Sequence, residues 1–221
     1  MPIVLSDLFS APEANVLSAA ANALAFEDGR STAGTVARAV KNNTQAGPGG
    51  RPGDGRDAVL EKIRATLMAN PLFQAAAIPK SLAGMMVTRT ADDGYYGPHI
   101  DNALMAGGRS DLSFTLFLSE PETYDGGALC ISDRVEERQF KLPLGQAIVY
   151  PTTSLHRVAP VTSGARLVVV GWVTSWVRDA GQREVLFDLW CAISRAEAAD
   201  DAEQVLLLSK ARSNLLRMWA T

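Results

Sequence analysis

Residues 146–173 have the sequence QAIVYPTTSLHRVAPVTSGARLVVVGWV. Apolar runs at residues 146–150 and 167–173 stand at its two ends, and the pair Ser163-Gly164 indicates a turn between them. Short runs rich in Val, Ile and Tyr that are bounded by Gly, Pro and Ser are typical of β-strands. The stretch therefore predicts two strands of one β-structure.

The same pattern extends over the region from about Met85 to Trp176. Residues 113–118 and 128–132 form further short apolar runs, and the cluster Asp125-Gly126-Gly127 separates them. Because short strands recur with turn residues between them, the region predicts a mainly β protein built on an antiparallel sandwich or barrel.

Helical patterns flank the β region on both sides. We predict helices over residues 12–25, 57–69, 184–193 and 198–219. Ser10 and Glu13 have capping-box spacing at the start of the first helix, and Pro71 ends the second. The expected fold is therefore a β core with helices at both ends.

The chain divides into three regions in this interpretation. An N-terminal helical region that packs on the core covers residues 1–84, the β core covers 85–178, and a C-terminal helical extension covers 179–221. Within the first region, residues 44–55 are rich in Gly and Pro, which predicts a mobile loop.

Composition and charge exclude several classes of protein. The 221 residues carry a net charge of −3 with scattered Lys and Arg, which argues against nucleic acid as a partner because that binding rests on phosphate neutralisation. No apolar stretch approaches the ~20 residues of a membrane helix, and no signal peptide is visible. The two cysteines, Cys130 and Cys191, suit a reducing compartment. We therefore expect a cytoplasmic protein that binds neither nucleic acid nor a membrane.

The chain contains only two histidines, His99 and His156. His99 precedes Asp101 by two residues, and residues i and i+2 of a strand point to the same face. A His-x-Asp pair alone is more often an ordinary surface or core pair. Here His156, which follows the predicted strand 146–150, offers a second imidazole across the barrel. Two imidazoles and one carboxylate form the facial triad of iron(II) oxygenases, which leaves three coordination positions open.

Arg166 follows His156 by ten residues and stands at the start of the predicted strand 167–173. An exposed arginine at a strand start is the ordinary interpretation. A guanidinium that points inward is costly to bury alone, but it binds a carboxylate through two parallel hydrogen bonds. Together with the triad, Arg166 therefore predicts a site for the far carboxylate of a 2-oxo diacid that chelates the metal.

Short motifs over nearly the whole chain resemble those of a known family. The first half contains Asp28-Gly29-Arg30, Thr32-Ala33-Gly34, Val40-Lys41-Asn42-Asn43 with Gln45, and Asn70-Pro71-Leu72-Phe73. The second half contains His99-Ile100-Asp101-Asn102-Ala103, Ser110-Asp111-Leu112-Ser113, Tyr124-Asp125-Gly126-Gly127, Lys141-Leu142-Pro143, Tyr150-Pro151-Thr152-Thr153-Ser154-Leu155-His156-Arg157-Val158, Gly164-Ala165-Arg166 and Trp176-Val177-Arg178. In these motifs the sequence resembles the bacterial PKHD-type hydroxylases, which are iron(II)- and 2-oxoglutarate-dependent dioxygenases related to prolyl 4-hydroxylase.

The resemblance implies a double-stranded β-helix core, with the jelly-roll form that cupins share, and a catalytic role for residues 85–178. It implies that His99, Asp101 and His156 bind Fe(2+), that Arg166 anchors 2-oxoglutarate, and that L-ascorbate often serves as reductant. The expected reaction uses O2, hydroxylates an unidentified small molecule or protein substrate, and releases succinate and CO2. Relatives usually carry Asn and Tyr upstream of the His-x-Asp motif where this chain has two threonines, Thr88 and Thr90, so the pocket is expected to differ there.

Two alternatives of other classes remain open at this point. One is a cupin-like metal dioxygenase that acts without 2-oxoglutarate, which leaves Arg166 without a role unless the substrate is an acid. The other is a non-catalytic sensor of iron or 2-oxoglutarate. A halogenase is disfavoured because Asp101 occupies the coordination position that chloride would need.

Other residues each allow two interpretations. Arg109 and Asp111 form a salt bridge or gate the site, and Tyr96 lines the pocket mouth or packs in a turn. Trp172 is a pocket wall or a core residue. The leucines of the last helix cover the core or form the interface of a possible homodimer.

Overall fold

The computed structural model describes residues 2–32, 38–46, 55–105 and 107–221, and β-strands dominate its centre. In chain order the strands are β1 (Ile3–Leu5), β2 (Glu27–Asp28), β3 (Lys41–Asn42), β4 (Thr44–Ala46), β5 (Pro79–Ala91), β6 (Tyr95–His99), β7 (Leu104–Met105), β8 (Gly108–Arg109), β9 (Leu112–Phe117), β10 (Tyr124–Gly126), β11 (Leu129–Ser132), β12 (Glu137–Phe140), β13 (Ala147–Pro151), β14 (Leu155–Val158) and β15 (Val161–Ser175). The longer helices are α1 (Ala11–Asn22), α2 (Arg56–Ala69), α3 (Pro71–Ala77), α4 (Ala180–Ala198) and α5 (Ala202–Trp219).

Two antiparallel sheets face each other across the core. The larger has the order β1-β13-β9-β15-β5-β4-β2, with β10 paired to β15, and the smaller has the order β12-β11-β14-β6-β3. Phe117, Ile148 and Val168 of the larger sheet pack with Leu129 and Ile131 of the smaller one. The expected mainly β fold with a double-stranded β-helix core and flanking helices is therefore confirmed.

Strand β9 lies in the middle of the larger sheet, and all six of its residues are buried. Leu112, Phe114 and Leu116 join the core cluster that the N-terminal helices share. Ser113 and Thr115 alternate with them along the strand and line the cavity between the two sheets. A buried hydroxyl group needs a hydrogen-bond partner. Because Ser113 and Thr115 face the cavity, we expect their partners on that side of the strand.

The first two helices match their predictions closely. At the start of α1, the Glu13 carboxylate accepts a hydrogen bond from the backbone N–H of Ser10 at 3.2 Å, as capping-box spacing predicts. In α2, Val59, Ile63 and Leu67 recur at helical spacing and are buried against the core. These contacts fix the helices on the outer face of the larger sheet.

The expected turn at Ser163-Gly164 is wrong, because β15 begins at Val161 and continues through it. Gly164 lies opposite Tyr124 of β10 and has a φ of +70°. A Cβ at this position would lie 2.2 Å from the backbone oxygen of Thr123, so only glycine allows the strands to approach. The added length places Arg166 inside the strand rather than at its start.

The N-terminal region contributes strands as well as helices. Strands β1 to β4 lie within residues 1–84, and β4 shows that the loop predicted over 44–55 is wrong at its first three residues. Residues 47–54 of that prediction lie outside the described residues. Strands of two or three residues are too short to produce an alternating pattern, which explains why the sequence did not reveal them.

The C-terminal helices α4 and α5 begin at Asp caps: Asp179 Oδ1 accepts from the N–H of Gln182, and Asp201 Oδ1 accepts from the N–H of Gln204. Both helices were predicted, and α4 is longer at each end than expected. Leu215, Leu216 and Trp219 pack with Val177 and Leu186, whereas two other leucines, Leu206 and Leu207, are exposed. Among the described helices, none combines the length and apolar character needed to cross a membrane.

Candidate metal and co-substrate site

The two histidines come from neighbouring strands of the smaller sheet. Strand β14 pairs with β6, and His156 lies directly opposite His99 in the register. The ring centroids are 4.2 Å apart, and both side chains are buried. Cross-strand pairing therefore brings together two imidazoles that are 57 positions apart in the sequence.

Asp101 completes the cluster from just beyond the end of β6. The strand ends at His99, so the expectation that His99 and Asp101 share one face of a strand is wrong in detail. The carboxylate nevertheless reaches both rings: Oδ1 lies 4.0 Å from His99 Nε2 and Oδ2 lies 3.8 Å from His156 Nε2. These distances exceed a hydrogen bond, so neither ring donates to Asp101.

Backbone carbonyls fix the tautomer of both rings. His99 Nδ1 lies 2.8 Å from the carbonyl oxygen of Gly97, and His156 Nδ1 lies 3.0 Å from that of Ser154. A carbonyl oxygen can only accept, so Nδ1 carries the proton in each ring. Each Nε2 is left with its lone pair directed into the cluster, which is the arrangement of a metal-binding histidine.

The donor set fits a divalent transition metal. One ligand atom each from His99, Asp101 and His156 can be chosen so that all three lie within 4.8 Å of one another. Two neutral imidazoles and one carboxylate on one side of a cavity match the facial triad of iron(II) oxygenases. The site is therefore suited to iron binding and leaves its cavity side open to other ligands.

Burial, and then the neighbouring His156, lower the pKa of His99 from its ordinary value of 6.5 to about 4. In the metal-free protein we expect the ring resonances of His99, assigned by their loss in His99→Asn, to titrate by NMR near that lower value. Because the unfolded chain takes up the proton first, the metal-free fold is expected to lose stability as the pH falls from 6.5 towards 4. A His99 midpoint close to 6.5 would contradict this account.

Ser113 of β9 supports the carboxylate from the opposite sheet. Its Oγ donates a hydrogen bond to Asp101 Oδ2. Asp101 lies on irregular backbone after β6, so the hydrogen bond from Ser113 helps to fix the orientation of its carboxylate. Sequence reasoning missed this residue, because a serine within an apolar strand is common and carries no specific functional signal.

Replacement of Ser113 by alanine is expected to weaken iron(II) binding by about 10- to 100-fold, the usual cost of losing a group that orients a metal ligand. Anaerobic equilibrium dialysis of wild type and Ser113→Ala measures the effect. Ser213→Ala, at an exposed position of α5 outside the cavity lining, is the matched control and should bind iron as wild type does. Equal affinities for wild type and Ser113→Ala would show that this hydrogen bond is dispensable.

Arg166 faces the same cavity from β15. Its exposed fraction is only 2%, and its Nε has no hydrogen-bond partner within the described part of the chain. Burial lowers the pKa of the guanidinium, while the nearby Tyr124 and Tyr150 act in the opposite direction. A buried cation with an unused donor is costly unless a ligand supplies the acceptor, and a carboxylate matches its planar fork.

The cavity between the sheets encloses about 910 Å³, its open mouth included. The triad and Arg166 all line it, and apolar side chains such as Leu129, Val158 and Val170 form much of the wall. Tyr96 stacks on His99 with ring centroids 3.6 Å apart, and Trp172 also lines the cavity. The pocket interpretation is thus confirmed for the placement of both aromatic residues.

Other residues singled out in the sequence have structural partners. Arg109 Nε forms a salt bridge of 2.7 Å with Asp111, which also accepts from the N–H of Ser175. Arg157, which follows His156 in the chain, pairs with Glu137. Neither arginine is among the cavity-lining residues.

Thr88 and Thr90, where relatives are expected to carry Asn and Tyr, lie on β5, which pairs with the strand that carries Arg166. Both are buried, and Thr90 is the register partner of Arg166. Thr88 also lines the cavity. Because threonine is smaller than tyrosine, the space next to Arg166 is expected to be wider than in those relatives.

Comparisons with known proteins agree with this geometry. A family model described as the 2OG-Fe(II) oxygenase superfamily matches residues 85–174. A PKHD-type hydroxylase of Maricaulis maris is 50% identical over 196 residues, which cover 88% of each chain. One of Picosynechococcus sp. (strain PCC 7002) is 48% identical over 198 residues, with the same coverage of both.

Two solved structures show a similar fold. A Pseudomonas putida prolyl-4-hydroxylase has a TM-score of 0.53 at 18% identity, over 79% of this chain and 92% of that one. A Trichoplax adhaerens prolyl hydroxylase, solved with a peptide fragment of hypoxia inducible factor, has a TM-score of 0.59 at 12% identity, over 79% and 83%.

Proposed function

Because this chain belongs to the PKHD-type hydroxylases within the 2OG-Fe(II) oxygenases, we propose that it hydroxylates its substrate with iron(II) held by His99, Asp101 and His156. Arg166 is proposed to bind the far carboxylate of 2-oxoglutarate. The reaction converts a substrate C–H bond, O2 and 2-oxoglutarate into an alcohol, succinate and CO2. The observation that carries the proposal is one cavity that contains both a triad of metal ligands and a buried guanidinium with an unused donor.

Each side chain has a distinct task in this reaction. The two imidazoles present unprotonated Nε2 atoms because Gly97 and Ser154 hold their Nδ1 protons. Asp101 supplies the negative charge, and Ser113 fixes its direction. When bound, iron(II) supplies the activation of O2 that no protein side chain can perform. The apolar walls limit the entry of water.

The region 85–178 is proposed as the catalytic core, since it contains the four proposed site residues: His99, Asp101, His156 and Arg166. Residues 1–84 add strands β1 to β4 to its sheets and Lys41 to the cavity lining, and residues 179–221 form the C-terminal extension. The use of L-ascorbate, a cytoplasmic location and a homodimer stay predictions from the sequence.

The test is whether O2 consumption depends on 2-oxoglutarate. Anaerobically purified protein is mixed with iron(II) and ascorbate, and O2 uptake and succinate are measured with and without 2-oxoglutarate. We expect succinate to form slowly, with one succinate for each 2-oxoglutarate consumed. O2 uptake with substrate extracts but without 2-oxoglutarate, above that of an enzyme-free mixture of iron(II) and ascorbate, would favour a direct dioxygenase. Iron binding with no turnover in the presence of substrate extracts would favour a sensor.

A further inference from the structure

Lys41 is a buried lysine at the same cavity. Its exposed fraction is 8%, it lies on the two-residue strand β3, and it lines the cavity together with the triad. Lysine is almost never buried to this degree without an ionic partner. Its burial beside the triad therefore indicates a partner that the described residues do not provide.

The protein supplies little to balance this charge. Within the described residues, Nζ makes one hydrogen bond, of 3.2 Å, to the neutral side chain of Gln45, and no carboxylate lies within salt-bridge distance. Two acids act on Lys41 from farther away: Asp28, which is paired with Arg30, and Asp101, which is proposed to bind iron. Burial lowers the pKa of Lys41, and the charges of Asp28 and Asp101 oppose this shift.

Lys41 is also close to the reaction centre. Nζ lies 5.4 Å from the ring centroid of Tyr96, and Tyr96 stacks on His99. Because the 5.4 Å to Nζ and the 3.6 Å to the His99 ring are both measured from the Tyr96 ring centroid, Nζ lies at most 9.0 Å from the centre of an imidazole that is proposed to bind iron. A carboxylate at Nζ would therefore hold carbons a few bonds away within reach of the metal position.

When iron(II) and 2-oxoglutarate are both bound, the positive charge of Lys41 is left without a balancing negative charge in the cavity. Burial raises the pKa of Tyr96 to about 12 and also raises that of Tyr150, so both phenols are neutral. The two histidines are neutral as ligands. Iron(II) and Arg166 carry three positive charges, and Asp101 and dianionic 2-oxoglutarate carry three negative ones. With both bound, Lys41 is the remaining charge among the described residues that line the cavity.

We propose that Lys41 binds a carboxylate of the prime substrate, so that the enzyme hydroxylates an organic acid at a carbon a few bonds from that carboxylate. This inference rests on the function proposed above, because it takes the Arg166 end of the cavity to be filled by 2-oxoglutarate. The substrate carboxylate accepts hydrogen bonds from the donors of Nζ that Gln45 does not use. Its negative charge balances the positive charge of Lys41, and its position directs C–H bonds a few bonds away towards the iron.

The test compares carboxylic acids with their uncharged amides. The probes are three matched pairs: benzoate and benzamide, hexanoate and hexanamide, and N-acetylglycinate and N-acetylglycinamide. Anaerobic calorimetry measures their binding to enzyme saturated with iron(II) and 2-oxoglutarate, so that Arg166 is already occupied. The proteins are wild type, Lys41→Met, Lys41→Gln and the control Lys80→Met, which removes a lysine that packs on the exposed Trp176.

We expect at least one carboxylate to bind wild type about 10- to 100-fold more tightly than its amide, the effect of one charge-assisted hydrogen bond. This preference should vanish in both Lys41 variants and persist in Lys80→Met. Lys41→Gln keeps a polar group beside Gln45, so it serves if Lys41→Met fails to fold. The variants should bind 2-oxoglutarate as wild type does.

Three results would overturn the proposal: no carboxylate binds wild type better than its amide, the preference survives in the Lys41 variants, or these variants weaken 2-oxoglutarate binding as strongly as loss of Arg166. Failure of the function proposed above is distinguishable, because the wild type would then not bind 2-oxoglutarate or form succinate at all.

Discussion

Asp101→Ala is expected to abolish 2-oxoglutarate turnover and to weaken iron(II) binding by more than about 100-fold, beyond the usual effect of a residue that only orients a ligand. Asp101 is the sole anion among the three clustered ligands, and its oxygens lie 4.0 and 3.8 Å from the two Nε2 atoms. Without this carboxylate, only two neutral imidazoles remain as ligands, and no negative charge of the triad attracts iron(II). Anaerobic equilibrium dialysis and succinate formation measure the two effects.

The control for this variant is Asp7→Ala, which removes an exposed carboxylate near the N-terminus. It should leave iron binding and turnover at the wild-type level. Thermal unfolding of the metal-free proteins checks that Asp101→Ala is folded. Full iron affinity in a folded Asp101→Ala would refute the role of this carboxylate as a ligand.

Arg166→Leu is expected to raise the Kd of 2-oxoglutarate by about 30- to 1000-fold, which corresponds to the roughly 2 to 4 kcal/mol lost when one member of a buried charge pair is removed. Arg166→Lys should lie between this variant and wild type, because an ammonium is a point charge and cannot match a carboxylate with two parallel bonds. Anaerobic titration of the iron-loaded enzyme with 2-oxoglutarate measures all three.

The same substitution should make the ligand-free protein more stable. Arg166 is buried with an unused Nε, and its π contact with Phe117, at 5.3 Å from the ring centroid, compensates only in part. Leucine removes the buried charge at similar volume, so we expect a gain of about 1 to 4 kcal/mol in unfolding free energy. Arg138→Leu, at an exposed salt bridge, is the control. A lower melting temperature for Arg166→Leu, or unchanged 2-oxoglutarate affinity, would contradict the assigned role.

The sequence predicted much of the architecture because its central strands are long enough to show their character. The apolar runs at 113–118 and 146–150 correspond to β9 and β13, and the first two helices have clear spacing and caps. The extent of β15 was missed because Gly164 normally indicates a turn, whereas here it lets two strands approach closely. A pattern of residues in one segment cannot report how near another segment lies.

The cluster of His99, Asp101 and His156 was predictable because histidine is rare in this chain and its chemistry is narrow. Ser113 and Lys41 were not, since their importance lies in contacts between segments distant in the sequence. Ser113 is significant only once β9 faces Asp101, and Lys41 only once β3 pairs with β6. Both roles depend on contacts between strands that are distant in the sequence, and the local sequence does not encode those contacts.

The most direct test of the central claim is a crystal structure of the anaerobic enzyme with manganese(II) in place of iron, together with 2-oxoglutarate. We expect one ion bonded to His99 Nε2, His156 Nε2 and an Asp101 oxygen at about 2.2 Å. We also expect 2-oxoglutarate on that ion, with its far carboxylate about 2.8 Å from the guanidinium nitrogens of Arg166. An ion bound elsewhere, or 2-oxoglutarate bound without contact to Arg166, would contradict this claim.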